Sequence, residues 1–591
     1  SEGNRCKITE KRRRKQLCRV DISADSYCRL LNDFISGRRL PHEEWYGLSL
    51  NLIHIMGGRS LISGVFDKYS SIYNDTERKE TQIDFAVRNE YRAQRCEDYC
   101  PYAYKCEHAS NMVYTLKEAS RKIIILDKKP EYKDIEIMRS QLRSEIEASL
   151  ARPRIKVMKA PTGAGKTYAY LEAVKNSDKQ TIVAVPNRML MDDIADAARS
   201  KGISCITTPI IYDLIKSLDH DKAKLLRHMY TVGTESNVNY YLREWDDIAA
   251  KNYLDQIGSI RKFKGKLIIT THARLLKMKS DYLSSRNVII DEDILPSMIQ
   301  VRSVRISDID QILNRSTIET PMPCDVVYQL NRIKRIKGYE SIEGLSRDFN
   351  TDETLSITER ISYENNSAIF PALRARHFYH EDGNDEIFFG ESTSLPECNC
   401  IIVSATVNEM LYRRVFGNRL YSFKDMGELR YHGKLYLHHD RSYSKSCIME
   451  NTDIIDELRQ EYGSHSNIIT FKDFSEYGEL YLGAAQGSNM LAGQDLTVIG
   501  TFHRPEYVYK LWWMIIGAEA TEDTLAVRRI ERNGFNFPFM TFSDPVLREI
   551  QLYMIESESE QAVGRARLVS NDCTVNLFSN LPLKQSILLN D

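Results

Sequence analysis

Short runs of apolar residues, each ending in small or polar residues, recur from the second quarter of the chain to its end. Each run has the length of a buried strand, and segments with helical spacing of apolar residues stand between them. The clearest runs are RIKVMKA (154–160), TIVAV (181–185), KLIITT (266–271), NVIID (287–291), CIIVS (400–404), SNIIT (466–470) and DLTVIG (495–500). This alternation of strands and helices predicts an α/β fold with parallel sheets.

A glycine-rich turn, APTGAGKT (160–167), follows the first of these strands and leads into a helix. In that context the backbone N–H groups and the start of the helix attract phosphate groups. Gly163, Ala164 and Gly165 would let the backbone approach the phosphates. Lys166 would reach the β- and γ-phosphates, and the Thr167 hydroxyl would bind Mg²⁺. The turn therefore predicts a site for ATP and Mg²⁺.

Acidic residues end the strand in NVIIDEDIL (287–295). Such a strand brings its last residues to the edge of the sheet, where phosphates bind. Asp291 is then placed to hold Mg²⁺, and Glu292 is placed to polarise the attacking water as a general base.

The order of these segments resembles the motifs of superfamily 2 helicases, in which the phosphate-binding motif commonly begins with alanine. DED resembles the D-E-x-x box, and Ser404, Ala405 and Thr406 resemble motif III. Two strand-end loops resemble motifs Ia and Ib, and the resemblance implies nucleic-acid contacts at Pro186, Asn187, Arg188, Thr271, His272 and Arg274.

The C-terminal part resembles the second lobe of such helicases. Asp495 belongs to a motif V-like segment, and ESEQAVGRARL (558–568) resembles motif VI. The resemblance implies that Gln561 faces the nucleotide and that Arg565 and Arg567 are candidate arginine fingers. Many family members space these arginines one residue further apart, and we favour Arg565. Upstream, Gln141 resembles a glutamine with which helicases read adenine.

Two long gaps between the motifs resemble the insertions of the XPD and DinG group, where the first carries an iron–sulfur cluster and the second forms an arch. Here the first insertion has a single cysteine, Cys205, so ligation by four cysteines is ruled out in that region. We expect an N-terminal accessory domain at 1–125, a first RecA-like lobe at 126–409 and a second at 410–591. The insertions, at about 205–262 and an arch-like 297–397, are expected to be helical.

A compact group of metal-binding residue types precedes the first lobe, in CEDYCPYAYKCEH (96–108). Cys96, Cys100, Cys106 and His108 could close a tetrahedral Zn²⁺ site. An iron–sulfur cluster and free thiols are the alternatives. The expected fold is thus two RecA-like lobes, with parallel sheets flanked by helices, plus an N-terminal, mainly helical metal-binding domain.

The charge, apolar runs and cysteine content of the chain restrict what it can bind and where it can be located. The formal net charge is −1, so a polyanion would have to bind in a local basic groove. The basic run at 5–19 is either a solvated tail, a nucleic-acid contact or a localisation signal. No run approaches the ~20 apolar residues of a membrane span. The twelve cysteines are too sparse for a disulfide scaffold, which favours a cytoplasmic or nuclear protein.

The leading hypothesis is an ATP-driven DNA helicase or single-strand translocase acting on single-stranded or forked DNA in replication or repair. The C-terminal segment and the N-terminal helices also resemble primase–helicase systems of phages and mobile elements, which implies a primase or replication protein as a partner. A first alternative is a non-unwinding, nucleic-acid-binding ATPase module that recruits a replication or defence complex. A second alternative is a P-loop motor that acts on protein.

Overall fold

The structure is a computed structural model that describes residues 28–55, 57–106, 111–113, 123–126, 131–150, 154–315, 322–361, 367–476, 480–483 and 490–589. Its helices are α1 (Arg29–Ile35), α2 (His42–Leu52), α3 (Gly58–Lys68), α4 (Thr76–Arg88), α5 (Ile135–Leu150), α6 (Lys166–Asn176), α7 (Arg188–Ser200), α8 (Ile211–Ser217), α9 (His220–Val232), α10 (Val238–Glu244), α11 (Ile248–Lys262), α12 (His272–Leu275), α13 (Ser280–Ser284), α14 (Leu295–Met298), α15 (Ile306–Asn314), α16 (Cys324–Lys334), α17 (Thr351–Glu359), α18 (Ile369–Arg374), α19 (Glu409–Phe416), α20 (Lys445–Glu450), α21 (Asp453–Tyr462), α22 (Glu506–Ile515) and α23 (Pro545–Val563).

The strands are β1 (Ile124–Ile125), β2 (Tyr132–Lys133), β3 (Ile155–Lys159), β4 (Thr181–Val185), β5 (Cys205–Thr207), β6 (Leu267–Thr271), β7 (Asn287–Asp291), β8 (Ile299–Arg305), β9 (Gly338–Ser341), β10 (His377–His380), β11 (Glu386–Ser392), β12 (Cys400–Ser404), β13 (Leu420–Asp425), β14 (Glu428–Leu429), β15 (Lys434–His438), β16 (Asn467–Ile469), β17 (Leu496–Ile499), β18 (Ala526–Arg532), β19 (Phe535–Thr541), β20 (Thr574–Phe578) and β21 (Ile587–Leu588).

The larger sheet has seven parallel strands in the order β13-β3-β12-β7-β4-β6-β5. Its central strands are buried along their whole length, because helices cover both faces of a parallel sheet. The carboxyl ends of β3, β7 and β12 lie side by side, and there the glycine-rich turn, the acidic residues and the Ser-Ala-Thr segment meet. The prediction of an α/β fold with a large parallel sheet is confirmed.

The second sheet has five parallel strands in the order β16-β17-β20-β15-β21. It begins only at β15. The preceding β13 pairs with β3 in the first sheet, so the first lobe extends beyond residue 409, where the sequence led us to end it.

The two insertions differ in kind. The first consists of helices α8 to α11, which form a small core of their own. It begins after β5, because residues 205–207 form the edge strand of the large sheet. The second contains helices α15 to α18 but also an antiparallel sheet in the order β8-β11-β10-β9. The expectation of a helical second insertion is corrected here: alternate residues of β10 and β11 are buried, which is typical of a sheet covered on one face.

Helices α1 to α4 pack around a separate apolar core at the N-terminal side. In the described part of the chain no helix is long and apolar enough to span a membrane.

Helix α23 joins the two sheets. Near its start, Leu547, Ile550 and Tyr553 pack in the core of the first sheet, where Trp512 of α22 also lies. At its end, Ala562 and Val563 pack in the core of the second sheet. Any change in the relative position of the sheets must therefore move or bend this helix.

Candidate ATP-binding site

The phosphate-binding turn lies between the end of β3 and the start of α6. Ala160 is fully buried, and its N–H donates to the carbonyl of Ser404 at 3.0 Å, which ties the turn to the neighbouring strand. Gly163 and Gly165 have φ angles of +87° and +83°, which side chains with a Cβ rarely adopt. Helix α6 begins at Lys166, so its free N–H groups face the turn.

Asp291 ends β7 and is fully enclosed. Its Oδ2 accepts a hydrogen bond of 2.8 Å from the hydroxyl of Tyr170 on α6. Its Oδ1 is buried, and no hydrogen-bond partner for it lies among the described residues. Burial and the neighbouring charge of Glu292 raise the pKa of Asp291. A buried carboxylate oxygen without a protein partner fits the Mg²⁺ ligand that the sequence predicts.

Glu292 has a φ angle of +71°, an unusual backbone conformation for a residue with a side chain. Its Oε1 lies 3.7 Å from Nζ of Lys166, and its Oε2 accepts from the Ser404 hydroxyl at 2.9 Å. Burial alone would raise the pKa of Glu292, but Lys166 and Ser404 hold it below the usual value. The side chain is therefore ionised near neutral pH and can accept a proton.

The arginines approach this pair from the second sheet. Arg565 is 7% exposed, and its Nε donates to the Gln561 carbonyl at 3.1 Å. Burial and Arg567 lower the pKa of Arg565 to about 10, while Glu292 favours its charged form. Both arginines stabilise the ionised form of Glu292. The Oε1 of Gln561 is buried without a partner among the described residues.

The two sides of this cleft are in close contact. A Cβ on Gly564 would lie 3.1 Å from the Thr162 side chain, and one on Gly163 would lie 3.2 Å from Val569. Lys166, Asp291, Glu292, Arg565 and Arg567 thus lie around one cleft between the two sheets, and the predicted contact of Gln561 with the nucleotide stays a prediction.

Two further side chains, those of Gln141 and Asp495, were predicted to contact the nucleotide. Gln141 is exposed on α5, where its Oε1 accepts from Lys133 at 3.2 Å. Asp495 is exposed before β17, and its Oδ1 accepts from the N–H of Thr574 at 2.7 Å. This contact joins two strands of the second sheet. The predicted adenine contact of Gln141 and the predicted nucleotide contact of Asp495 stay predictions. Arg139 is nearer to the turn, since a Cβ on Gly165 would lie 3.4 Å from its Nε.

The predicted nucleic-acid residues lie at two strand ends, after β4 and β6. Asn187 caps α7 by accepting from the N–H of Leu190 at 3.0 Å, and Thr271 caps α12 in the same way at 3.3 Å. Pro186 is half-buried beside them. Arg274 donates to the Pro209 carbonyl at 3.2 Å.

Arg188 forms ion pairs with Asp192 and Asp213, and these residues line a groove of about 420 Å³ beside the first insertion. His272 requires a correction. It is 1% exposed, and its Nε2 contacts the Asp291 carbonyl at 3.0 Å. Burial lowers the pKa of His272 to about 4, so the ring is neutral and enclosed, and we remove it from the nucleic-acid surface.

Three residues that act on this cleft were not among the predicted site residues. Tyr170 and Ser404 hold the two acids, and Asp293 anchors the strand end behind them. Ser404 and Asp293 belong to segments that the sequence analysis had singled out, the motif III-like Ser-Ala-Thr and DED, but without a role of their own. Tyr170 lies four residues after Lys166, hence on the same face of α6.

The cysteine segment is not a formed metal site among the described residues. No three His, Cys, Asp or Glu side chains in the described ranges are grouped closely enough to hold a metal ion. Cys96 and Cys100 are half-buried and Cys106 is exposed, all three without a disulfide. His108, the fourth predicted ligand, lies outside the described residues.

The phosphate-binding turn lies in the part of the chain that is similar to a known protein family. The family model of the DEAD/DEAH box helicases matches residues 143–260, which include the phosphate-binding turn. No curated protein matches the sequence. An apo XPD structure aligns at 13% identity over 77% of this chain and all of its own, with a TM-score of 0.42. The Xpd4 structure of S. tokodaii gives 12% identity with the same coverage and TM-score.

A DEAD box protein of the hyperthermophile Methanococcus jannaschii aligns at 10% identity, over 78% of this chain and 94% of its own, with a TM-score of 0.22. Alignments this loose do not decide the fold, which follows from the strand order above. The family match covers less than half of the chain, and over residues 143–260 the chain is similar to a DEAD/DEAH box helicase domain.

Proposed function

We propose that the protein is an ATP-driven translocase and helicase that acts on single-stranded or forked DNA. The observation that carries this proposal is the composite cleft, in which Lys166 and Glu292 of the first sheet are 3.7 Å apart and the charges of Arg565 and Arg567 favour ionised Glu292. A site divided between two sheets couples hydrolysis to their relative movement, which is what a motor requires.

In this proposal Lys166 and the N–H groups of the turn bind the phosphates of ATP. Glu292 takes a proton from the attacking water, and Ser404 keeps its carboxylate in place. Arg565 stabilises the charge that develops on the transferred phosphoryl group. Asp291 and Thr167 would hold Mg²⁺, which when bound would supply positive charge that offsets the charge of the phosphates.

The choice of DNA rests on the placement of the two insertions, which is similar to that of the XPD and DinG group. By the same analogy we propose movement from 5′ to 3′ and a role in replication or repair. Nucleic acid would lie across the carboxyl ends of β4 and β6, where Asn187, Arg188, Thr271 and Arg274 are found. Most contacts would be to phosphates.

Strand separation on tailed duplexes tests this proposal. DNA and RNA duplexes with either a 5′ or a 3′ overhang are mixed with the full chain and ATP. We expect separation of DNA with a 5′ overhang. Lys166→Ala should abolish it, whereas Lys175→Ala, an exposed lysine on the same helix, should not. Separation of RNA alone, or ATP turnover that no nucleic acid stimulates, would contradict the proposal.

A further inference from the structure

The third acid of the DED segment is held by two tyrosines from different parts of the chain. Asp293 is 8% exposed. Its Oδ1 accepts from the hydroxyl of Tyr412 at 2.7 Å and from the N–H of Leu295 at 3.0 Å. Its Oδ2 accepts from the hydroxyl of Tyr553 at 2.8 Å, a partner 260 residues away in the sequence. All four groups lie in the interior.

Both tyrosines belong to helices that adjoin the ATP cleft. Tyr412 lies on α19, which follows the Ser-Ala-Thr segment, and Tyr553 lies on α23, which ends just before Arg565. Asp293 is the second residue after Asp291. One carboxylate therefore contacts the helix after the Ser-Ala-Thr segment and the helix that leads to Arg565. It does so from the position next to the proposed general base.

A second contact fixes the same two helices one turn away. Asn408 caps α19, and its side-chain N–H donates to Oε1 of Glu549 on α23. Glu549 and Tyr553 are four residues apart, so they lie on one face of the helix. Two contacts on one face determine both the position and the rotation of α23. Arg565 follows Tyr553 by twelve residues, about 18 Å further along if the rise is that of a helix.

Holding two helices with a buried carboxylate costs free energy, because a charged group must leave water. Burial raises the pKa of Asp293 to about 6, although the hydroxyl of Tyr412, the N–H of Leu295 and the hydroxyl of Tyr553 all favour its charged form. Apolar side chains would bury similar surface without that cost. Unlike an apolar side chain, a carboxylate forms directional contacts, because its two oxygens hold the two tyrosine hydroxyl groups at fixed angles.

We infer that Asp293, with Tyr412 and Tyr553, is a positioning device that sets Arg565 against Glu292 by fixing helix α23 on the DED strand end. This inference rests on the proposed function, because it assigns to Arg565 a role in hydrolysis. Asp293 itself touches neither phosphate nor water in this account. It acts through the arginine.

A double-mutant cycle tests whether the device acts through Arg565. ATP turnover by the full chain with oligothymidylate is measured for Tyr553→Phe in the wild-type and in the Arg565→Ala background. In the wild-type background we expect kcat to fall about 10-fold with KM for ATP changed less than about twofold, because a misplaced group loses transition-state stabilisation. In the Arg565→Ala background the same substitution should change kcat less than about twofold.

Two further variants test whether the effect is specific to the Asp293 contacts or comes from a general loss of packing. Tyr412→Phe should reproduce the effect of Tyr553→Phe. Tyr443→Phe removes the hydroxyl of another buried tyrosine, which donates to Asp440 beside the second sheet, and should leave kcat unchanged. Thermal unfolding confirms that each variant is folded.

An equal loss of kcat in both backgrounds, no loss at all, or the same loss in Tyr443→Phe would overturn the inference. Full turnover by Arg565→Ala would overturn both the positioning role of Asp293 and the role of Arg565 in hydrolysis. If the wild type is then still stimulated by DNA, the proposed function as an ATP-driven translocase stands. Failure of the inference is therefore distinguishable from failure of the proposed function.

Discussion

The contact between Tyr170 and Asp291 gives the sharpest prediction about the ATP site. Tyr170→Phe removes one hydroxyl from a fully buried ring and leaves its shape unchanged. The lost hydrogen bond is 2.8 Å long and ends on a carboxylate. A hydrogen bond to a charged group contributes about 1.5–3 kcal/mol, and 1.4 kcal/mol corresponds to a factor of 10. The Mg²⁺ concentration for half-maximal ATP turnover should therefore rise about 10- to 100-fold.

The pKa of Asp291 determines whether the variant needs more or less Mg²⁺ than the wild type. Burial and Glu292 already raise that pKa, and the hydrogen bond from Tyr170 lowers it. Without the hydroxyl the pKa rises further, so less of the side chain is ionised at a given acidic pH. Because Mg²⁺ binds the ionised form, the variant should need more Mg²⁺ for half-maximal ATP turnover, and its acidic limb of activity should move to higher pH.

The assay is ATP turnover as a function of free Mg²⁺ at several pH values between about 6 and about 8. Tyr168→Phe serves as the control, because Tyr168 lies on the same helix but is 58% exposed. An unchanged Mg²⁺ requirement and an unchanged acidic limb in Tyr170→Phe would refute the assignment of Asp291 as the Mg²⁺ ligand.

Three other outcomes are expected. Glu292→Gln should retain ATP binding but lower kcat by roughly 10²- to 10⁴-fold, measured by nucleotide titration and single-turnover hydrolysis; a nearly normal kcat would exclude it as the general base. Gly163→Ala should weaken ATP binding about 10-fold in calorimetry, because φ is +87° and the new Cβ would lie 3.2 Å from Val569; equal affinity would refute the close approach. The pKa of Asp293 is raised to about 6, so the folded chain keeps a proton that the unfolded chain releases. The contribution of Asp293 to the free energy of unfolding should therefore fall by up to about 3 kcal/mol as pH rises from about 4 to about 6, and in urea titrations the decrease should be smaller by that amount in Asp293→Asn.

The sequence was most informative where function and local structure coincide. The glycine-rich turn needs residues that are adjacent in the chain, so APTGAGKT predicted both the turn and the helix after it. The acids of the DED segment were also readable, because a buried run of apolar residues ends at them. The alternation of strands and helices was enough to predict parallel sheets.

Contacts between distant residues could not be predicted in this way. Tyr553 meets Asp293 across 260 residues, and only the folded chain shows that pairing. The boundary after residue 409 was misplaced because β13 has no feature that tells which sheet it joins. The second insertion was expected to be helical. The strand EIFFGES (386–392) was not recognised, because its three apolar residues are consecutive and only the burial of their side chains alternates. His272 reads as a surface loop residue in the sequence, yet it lies in the core.

The central claim is that this chain hydrolyses ATP in a cleft between two sheets and that nucleic acid controls the rate. ATP turnover by the full chain, with and without single-stranded DNA, tests it most directly when the wild type is compared with Lys166→Ala. The account predicts that DNA stimulates the wild type several-fold and that the variant stays at background under both conditions. Turnover in Lys166→Ala equal to that of the wild type, or a wild-type rate that DNA does not change, would contradict it.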